Sequence, residues 1–392
     1  MEVVQHCFVS WTLFLVLSHL QLWYIEAKST IRQGSLHDRL ESASRSDNEG
    51  RVFFQQNRLD DAILAFQSAL EFLSGEADEF PTGWDTVTAS ARVHLGMLAY
   101  KRGAWAESVR LYRAADQVLG SWMTDLLKRR PWPYQEGPQL MDTSRWLVKC
   151  YAESLHRDGL DDEARSLWER AALAGVTRHK WQCALTLSPA EWKLSVKPWW
   201  PLKEIKSVQK LAAVLNHHHR SIKDETIQRL VNFEVPEGVQ IQVNQEVELL
   251  RSGQWHELIL YRNGQEIPGA CAVVPTLCGT LRPFKKIFHA QGQVKLSQFM
   301  GNTSGYPHCG PMDTKLRMHF AVALPPPGQV RLAELTVAGK SRSWAEGKSF
   351  VFDDSLEHAV VFQAYPETHR IVLIADFWHP DVPRQSRPRH DL

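Results

Sequence analysis

Within the seventeen residues SGYPHCGPMDTKLRMHF, 304–320, the chain carries His308, Arg317 and His319. His308 stands two residues before Gly310, where a His-x-Asp pair would put a carboxylate. Arg317 and His319 alternate along a strand-like run, so they share one face. Further on, His358 opens HAVVFQAY and Arg370 opens the apolar run RIVLIADFW. Imidazole suits Fe(II). An arginine at the head of a buried strand needs a partner, because an unpaired buried charge is costly, and its planar fork fits a carboxylate. Two imidazoles and a distal guanidinium therefore describe a metal ion beside a carboxylate ligand. Histidine pairs on strands are usually structural, so spacing alone does not separate the two readings.

The elements that must position these residues are strands. After about residue 235 the chain runs through VQIQVNQEV, ELILYRNG, QVKLSQF, KLRMHFAVAL, QVRLAELTVAG, KSFVFDD, HAVVFQAY and RIVLIADFW, broken by turn sequences such as RNGQ, PPPGQ and YPETH. Many short strands with no helices between them predict a sandwich or jelly roll able to hold a small ligand.

The front half reads differently. From about 36 to 190 three windows share one pattern of small and aromatic residues: Gly50, Phe53, Ala62, Phe66, Ala69; Gly96, Ala99, Ser108, Tyr112, Ala115; and Ala152, Leu155, Ala164, Trp168, Ala171. Each predicts a helical hairpin, with small residues where the helices approach and aromatics in the groove. The pattern is that of tetratricopeptide repeats, spaced wider than the usual ~34 residues. The hairpins could form a peptide-binding surface or a packing scaffold. Pro198 and Pro201 in SVKPWWPLKEI mark the boundary, and the histidines 217–219 point in three directions on a helix, as a surface run would. The 392 residues carry a net charge of +1, which gives no charge excess for nucleic acid, and no common dinucleotide or P-loop fingerprint occurs. An apolar run at 7–25 predicts a signal peptide or anchor over 1–27, and so the secretory pathway. Six cysteines are too few for a disulfide scaffold. Cys309, beside His308, reads as a free thiol.

YPHCGPMDTKLRMHFAVALP, EGKSFVFDDSLEHAV and RIVLIADFWHPD, with KPWWPLKE upstream, resemble the aspartyl/asparaginyl β-hydroxylase family. The resemblance covers about 196–385 and is most specific over the last eighty residues. It implies an α+β multidomain chain: a tetratricopeptide-like helical-hairpin solenoid over 36–190, then a double-stranded β-helix (jelly-roll) oxygenase domain. It implies an Fe(II)- and 2-oxoglutarate-dependent dioxygenase that hydroxylates the β-carbon of Asp or Asn in epidermal-growth-factor-like domains, in the endoplasmic reticulum lumen. His308 and His358 match the two iron ligands, with glycine where related oxygenases use a carboxylate. Arg370 and Ser297 match residues holding the far carboxylate of 2-oxoglutarate, and His319 one near its chelating end. Arg317 and Lys295 match cations that face an acidic substrate side chain. Cys271 and Cys278 match a loop disulfide near the mouth of the site, although the intervening AVVPTL is unexpectedly apolar. Between His358 and Arg370 the chain is two residues longer than the family pattern, which predicts a bulge.

Asp313 stands at the wrong offset for a third ligand, and Asp353 and Asp354 read as turn caps. The sequon at Asn302 lies close before His308, where a glycan would crowd the site, and reads as unused. A protein of another class remains open: a catalytically inert helical-repeat binding protein. So does an oxygenase with a different substrate.

Overall fold

The computed structural model describes residues 35–74, 83–119, 133–136, 139–231, 242–243 and 249–387. The apolar run at 7–25 lies outside them. Among the described residues no helix is long and apolar enough to cross a membrane. The chain divides into two compact units, residues 1–130 and 131–392.

The first unit is built from helices α1 (Leu36–Gln55), α2 (Leu59–Phe72), α3 (Trp84–Lys101) and α4 (Trp105–Leu119). Ser35 caps α1 in a reciprocal box with Asp38. The small and aromatic positions read from the sequence are the packing surface. A Cβ on Gly50 would stand 2.7 Å from the Phe66 ring, so only glycine lets α1 and α2 close to this distance. In the next hairpin Tyr112 fills the same place over Gly96, and the Ser108 hydroxyl donates to the Gly96 carbonyl at 2.9 Å.

The second unit opens on the hairpin of β1 (Pro133–Glu136) and β2 (Gln139–Asp142), followed by helices α5 (Thr143–Arg157) and α6 (Asp161–Leu173). Here Trp168 is buried with Ala152, Ala164 and Ala171, the third copy of the same pattern. Beyond β3 (Trp199–Trp200), helices α7 (Lys206–His217) and α8 (His219–Thr226) lead to the strands. These are β4 (Gln242–Val243), β5 (Leu250–Arg262), β6 (Gln265–Glu266), β7 (Gln293–Gly305), β8 (Lys315–Ala323), β9 (Val330–Val337), β10 (Lys340–Ser343), β11 (Ser349–Phe352), β12 (His358–Ala364) and β13 (His369–Trp378). They form one antiparallel sheet in the order β10-β9-β12-β7-β13-β8-β11-β3, with β5 added on β7. The expected irregularity after His358 is present, as the β12–β9 pairing slips between Gln363 and Ala364.

The two faces of the curled sheet differ in kind. Leu316, Met318, Phe320 and Val322 of β8, with Ile371, Leu373 and Ala375 of β13, face outward into the core formed with α7 and α8. The alternate residues of the same strands face the inside of the curl: Lys315, Arg317 and His319 of β8, Arg370, Val372 and Ile374 of β13. An alternating strand usually turns its polar face to water. Here that face is buried, and the polar residues meet one another.

AVVPTL, read as a loop, is instead two short helices, α9 (Ala270–Val273) and α10 (Pro275–Leu281). Its apolar character has a packing cause: Val273, Val274 and Leu277 are fully buried in the outer core. Cys271 and Cys278 join the two helices, S–S 2.05 Å, within that core.

Candidate active site

His308 and His358 are brought together by the backbone. Outside any ladder they form an isolated antiparallel bridge, His308 N–H to the His358 carbonyl at 3.0 Å and the reverse at 2.8 Å. Their ring centroids lie 4.3 Å apart. Each Nδ1 lies 2.8 Å from the carbonyl two residues before it, Tyr306 for His308 and Leu356 for His358. With Nδ1 donating, the lone pair of each ring is on Nε2. This is the arrangement in which a backbone carbonyl fixes the tautomer of a metal-binding imidazole. Burial, with His308 alongside, depresses His358 to about 3, so the ring stays neutral at physiological pH.

Arg370 is the largest fully buried side chain, 1% exposed. It lies between the rings of Phe299 and Trp344, 4.3 and 4.5 Å from their centroids. Its Nε and Nη1 have no hydrogen-bond partner, and desolvation lowers it to about 9. A native fold does not strand a buried guanidinium without cause. The site provides a flat, aromatic-walled slot with free donors of the kind that suit a carboxylate. Ser297 stands nearby with its Oγ accepting from Trp255 Nε1 at 2.9 Å. His319 accepts at Nδ1 from Trp344 Nε1 at 3.3 Å, and burial holds it well below the ordinary histidine range.

All seven residues named for the chemistry, Lys295, Ser297, His308, Arg317, His319, His358 and Arg370, line one cavity inside the curled sheet. The two named for substrate contact are already paired. Lys295 meets Glu257 at 2.6 Å, both buried. Arg317 bridges two carboxylates, Nη1 to Asp354 Oδ1 at 2.9 Å and Nε to Asp376 Oδ1 at 2.7 Å. Lys315 closes the cluster, 2.9 Å from Asp354 and 3.1 Å from Asp376. Burial alone would raise both aspartates, yet Arg317 and Lys315 hold each well below the usual carboxylate range. Sequence reasoning missed Glu257 and Asp376 because their partners are chosen by cross-strand register.

Asp354 is more than a turn cap. Its Oδ1 lies 3.7 Å from His358 Nε2. A Cβ on Gly310 would stand 1.7 Å from its Oδ2. The volume that a third-ligand side chain would need at 310 is thus filled by a carboxylate from the other histidine's loop. Among the described residues no cluster of three or more His, Cys, Asp or Glu takes up metal-binding geometry. The donor set is two imidazoles with a salt-bridged carboxylate beside them. That set, next to an orphaned guanidinium, fits a divalent metal that keeps open positions for an anionic chelator.

Cys309 is not a free thiol. It is joined to Cys183, 126 residues earlier. The segment carrying Cys183 runs across the loops that carry His308 and His358: Cys183 N–H donates to Ser355 O at 3.2 Å, Thr186 N–H to Pro311 O at 2.9 Å, and Glu357 N–H to Trp181 O at 2.7 Å. Asp313 serves this attachment, accepting from Ser188 N–H at 2.7 Å and Arg178 at 3.0 Å. Asn302 lines a separate open cleft of about 630 Å³ that contains none of the seven cavity residues. Its Oδ1 accepts from Ala364 N–H at 3.2 Å.

Residues 216–380 match the family model described as aspartyl/asparaginyl beta-hydroxylase. The cavity and this match agree: the part of the chain that builds the cavity is similar in sequence to that family. The mouse aspartyl/asparaginyl beta-hydroxylase is 31% identical over 195 residues, 50% of this chain and 25% of the relative. The human protein of the same name is 31% identical over 24% of its length. Mouse aspartate beta-hydroxylase domain-containing protein 1 is 32% identical over 140 residues, 35% of this chain and 38% of the relative. The aligned part is thus about a quarter to two-fifths of these relatives.

Proposed function

We propose that the chain is an Fe(II)- and 2-oxoglutarate-dependent peptidyl-aspartate/asparagine β-hydroxylase of the secretory pathway, its curled sheet a double-stranded β-helix and its protein substrates cysteine-linked, epidermal-growth-factor-like domains. The observation that carries the reading is Arg370: a buried, unsatisfied guanidinium in the same cavity as two carbonyl-oriented imidazoles.

In this reading His308 and His358 hold the ion through Nε2. Arg370, with Ser297 beside it, receives the far carboxylate of 2-oxoglutarate in a bidentate grip. His319 stands neutral near the chelating end. Phe299, Trp344 and Phe352 exclude water around these groups. The iron, when bound, supplies the oxidation that couples dioxygen and 2-oxoglutarate to hydroxylation. The protein's part is to dock the cosubstrate, present a β-carbon and keep the cavity dry. Lys315, Arg317, Asp354 and Asp376 fix the floor on which the substrate side chain rests. The similarity of residues 216–380 to the hydroxylase family and the intact residue set favour this over an inert binding protein.

The test is incubation of the purified chain with Fe(II), 2-oxoglutarate, dioxygen and a synthetic epidermal-growth-factor-like domain. The expected result is succinate release with a single-oxygen gain on an Asp or Asn residue, both lost in His358→Ala. Succinate release unchanged by His358→Ala would refute the assignment.

A further inference from the structure

Trp344 does not itself line the cavity, yet it touches two residues that do, His319 and Arg370. It stands between β10 and β11. The turn that follows it is fastened to β8: Gly347 N–H donates to the Ala321 carbonyl at 2.9 Å, and Ala321 N–H donates to the Lys348 carbonyl at 3.0 Å. From there β11 runs antiparallel to β8, with Phe350 opposite His319. The strand that carries His319 thus also anchors the turn next to Trp344. The indole is buried, 7% exposed, and packs with Leu335, Val337 and Phe352.

Any large apolar ring would serve that packing, but the indole does two further things. Its face covers the Arg370 guanidinium, 4.5 Å from the ring centroid. Its Nε1 stands 3.3 Å from His319 Nδ1. An indole nitrogen only donates, so Nδ1 accepts. An imidazolium has no acceptor, and a ring protonated at Nδ1 has none at that atom. The contact is therefore satisfied only by the neutral ring with its proton on Nε2. Burial, with Arg370 and Arg317 nearby, keeps the ring neutral. Which nitrogen of a neutral imidazole carries the proton is set by the hydrogen bond that the other one makes. Nδ1 is engaged by Trp344, so Nε2 is the nitrogen left to meet a ligand in the cavity that His319 lines.

We propose that Trp344 is a positioning residue that locks His319 in the Nε2–H tautomer, so that the cosubstrate's chelating end meets a hydrogen-bond donor. The proposal rests on the hydroxylase reading above, in which that end is a 2-oxo carboxylate and offers acceptors only. The opposite tautomer would set a lone pair against it and turn a hydrogen bond into a repulsion. The same indole walls the Arg370 slot, so one side chain orients the groups that receive both ends of a dicarboxylate.

The experiment separates the indole N–H from the ring. Trp344→Phe keeps an aromatic wall over Arg370 and removes the donor. Two readouts are taken on the full chain. The first is the tautomer of His319 in the metal-free protein, read from long-range proton–nitrogen correlations with isotope-labelled histidine and assigned by the signal lost in His319→Phe. The wild type is expected as the Nε2–H form, and Trp344→Phe as a mixture or as the Nδ1–H form. The second is calorimetric titration of 2-oxoglutarate into anaerobic, Mn(II)-loaded protein. Trp344→Phe is expected to bind ~10-fold more weakly, the loss of one hydrogen bond, and to add no further loss in a His319→Phe background. A wild-type ring protonated at Nδ1, a tautomer unmoved by Trp344→Phe, a binding loss under ~2-fold, or the same loss in both backgrounds each overturns the inference. Failure of the hydroxylase reading shows separately, as absence of metal-dependent 2-oxoglutarate binding by the wild type. The tautomer readout still decides whether Trp344 positions His319 in that case, and the wild-type tautomer decides it should Trp344→Phe not fold.

Discussion

Arg370 carries two opposed consequences, and the pair is diagnostic. Replacing it with methionine removes an unsatisfied buried charge and fills the slot between Phe299 and Trp344 with apolar volume. Exchanges of this kind are neutral to stabilising. Arg370→Met is therefore expected to melt at the same temperature as the ligand-free wild type or higher. It should bind 2-oxoglutarate at least ~100-fold more weakly, since two charge-assisted hydrogen bonds at ~1.5–3 kcal/mol each are lost. Calorimetric melting and titration read the two effects independently. Loss of stability without loss of binding would make Arg370 a structural residue.

Gly310 gives a second residue-scale expectation. Restoring a carboxylate there with Gly310→Asp does not create a third ligand, because Asp354 occupies the space. The variant is expected to bind Fe(II) more weakly than the wild type. Combining it with Asp354→Gly should recover part of the loss, a coupling that a double-mutant cycle of metal affinities measures.

At the level of elements, the segment 181–188 fastens the loops carrying His308 and His358, and its disulfide closes 126 residues of sequence separation. In the chain-entropy account such a loop is worth ~5 kcal/mol and the 7-residue separation of Cys271–Cys278 only ~2.5. Cys183→Ser should lower Tm by more than Cys271→Ser, checked by melting both with and without a reducing dithiol.

Asp353 titrates against stability. Burial, only partly offset by hydrogen bonds from Ser355, raises it to about 7. A carboxyl raised above its unfolded value of ~3.9 binds its proton more tightly when folded, so its contribution falls as pH rises from about 4 to 7. Asp353→Asn keeps the acceptor for Ser355 and should be the more stable protein at pH 8, with the advantage gone at pH 4. Melting at the two values decides it. Asp354 and Asp376 act in the opposite sense: both are depressed, so their contribution is complete above ~4 and is lost only at lower pH.

The strands were legible because each alternates β-branched and aromatic residues between clear turns. The helical hairpins were legible because Gly50, Phe66, Tyr112 and Trp168 repeat a packing pattern. What alternation could not say is which face of β8 is inside. LRMHFAV fits a strand with one wetted face, and only the curl and the helical layer turn Arg317 and His319 inward. The partner of Cys309 lay 126 residues away, beyond anything local chemistry indicates. The pairing of Glu257 with Lys295 depends on register set by the β5–β7 ladder, which residue types alone do not encode. The apolar AVVPTL looked anomalous as a loop and is ordinary as two core helices.

For the whole molecule, the curled sheet with its cavity and the α5–α6 hairpin lie within one unit, while the α1–α4 hairpins form another. If the cavity holds a metal and 2-oxoglutarate, the two should stabilise the folded chain by mass action. The most direct measurement is calorimetric titration of 2-oxoglutarate into the anaerobic full chain with and without Mn(II), for the wild type, His358→Ala and Arg370→Met. The account predicts one molecule bound per chain by the wild type, dependent on metal, lost in His358→Ala and weakened at least ~100-fold in Arg370→Met. Binding that ignores the metal, or that survives both substitutions unchanged, would contradict it.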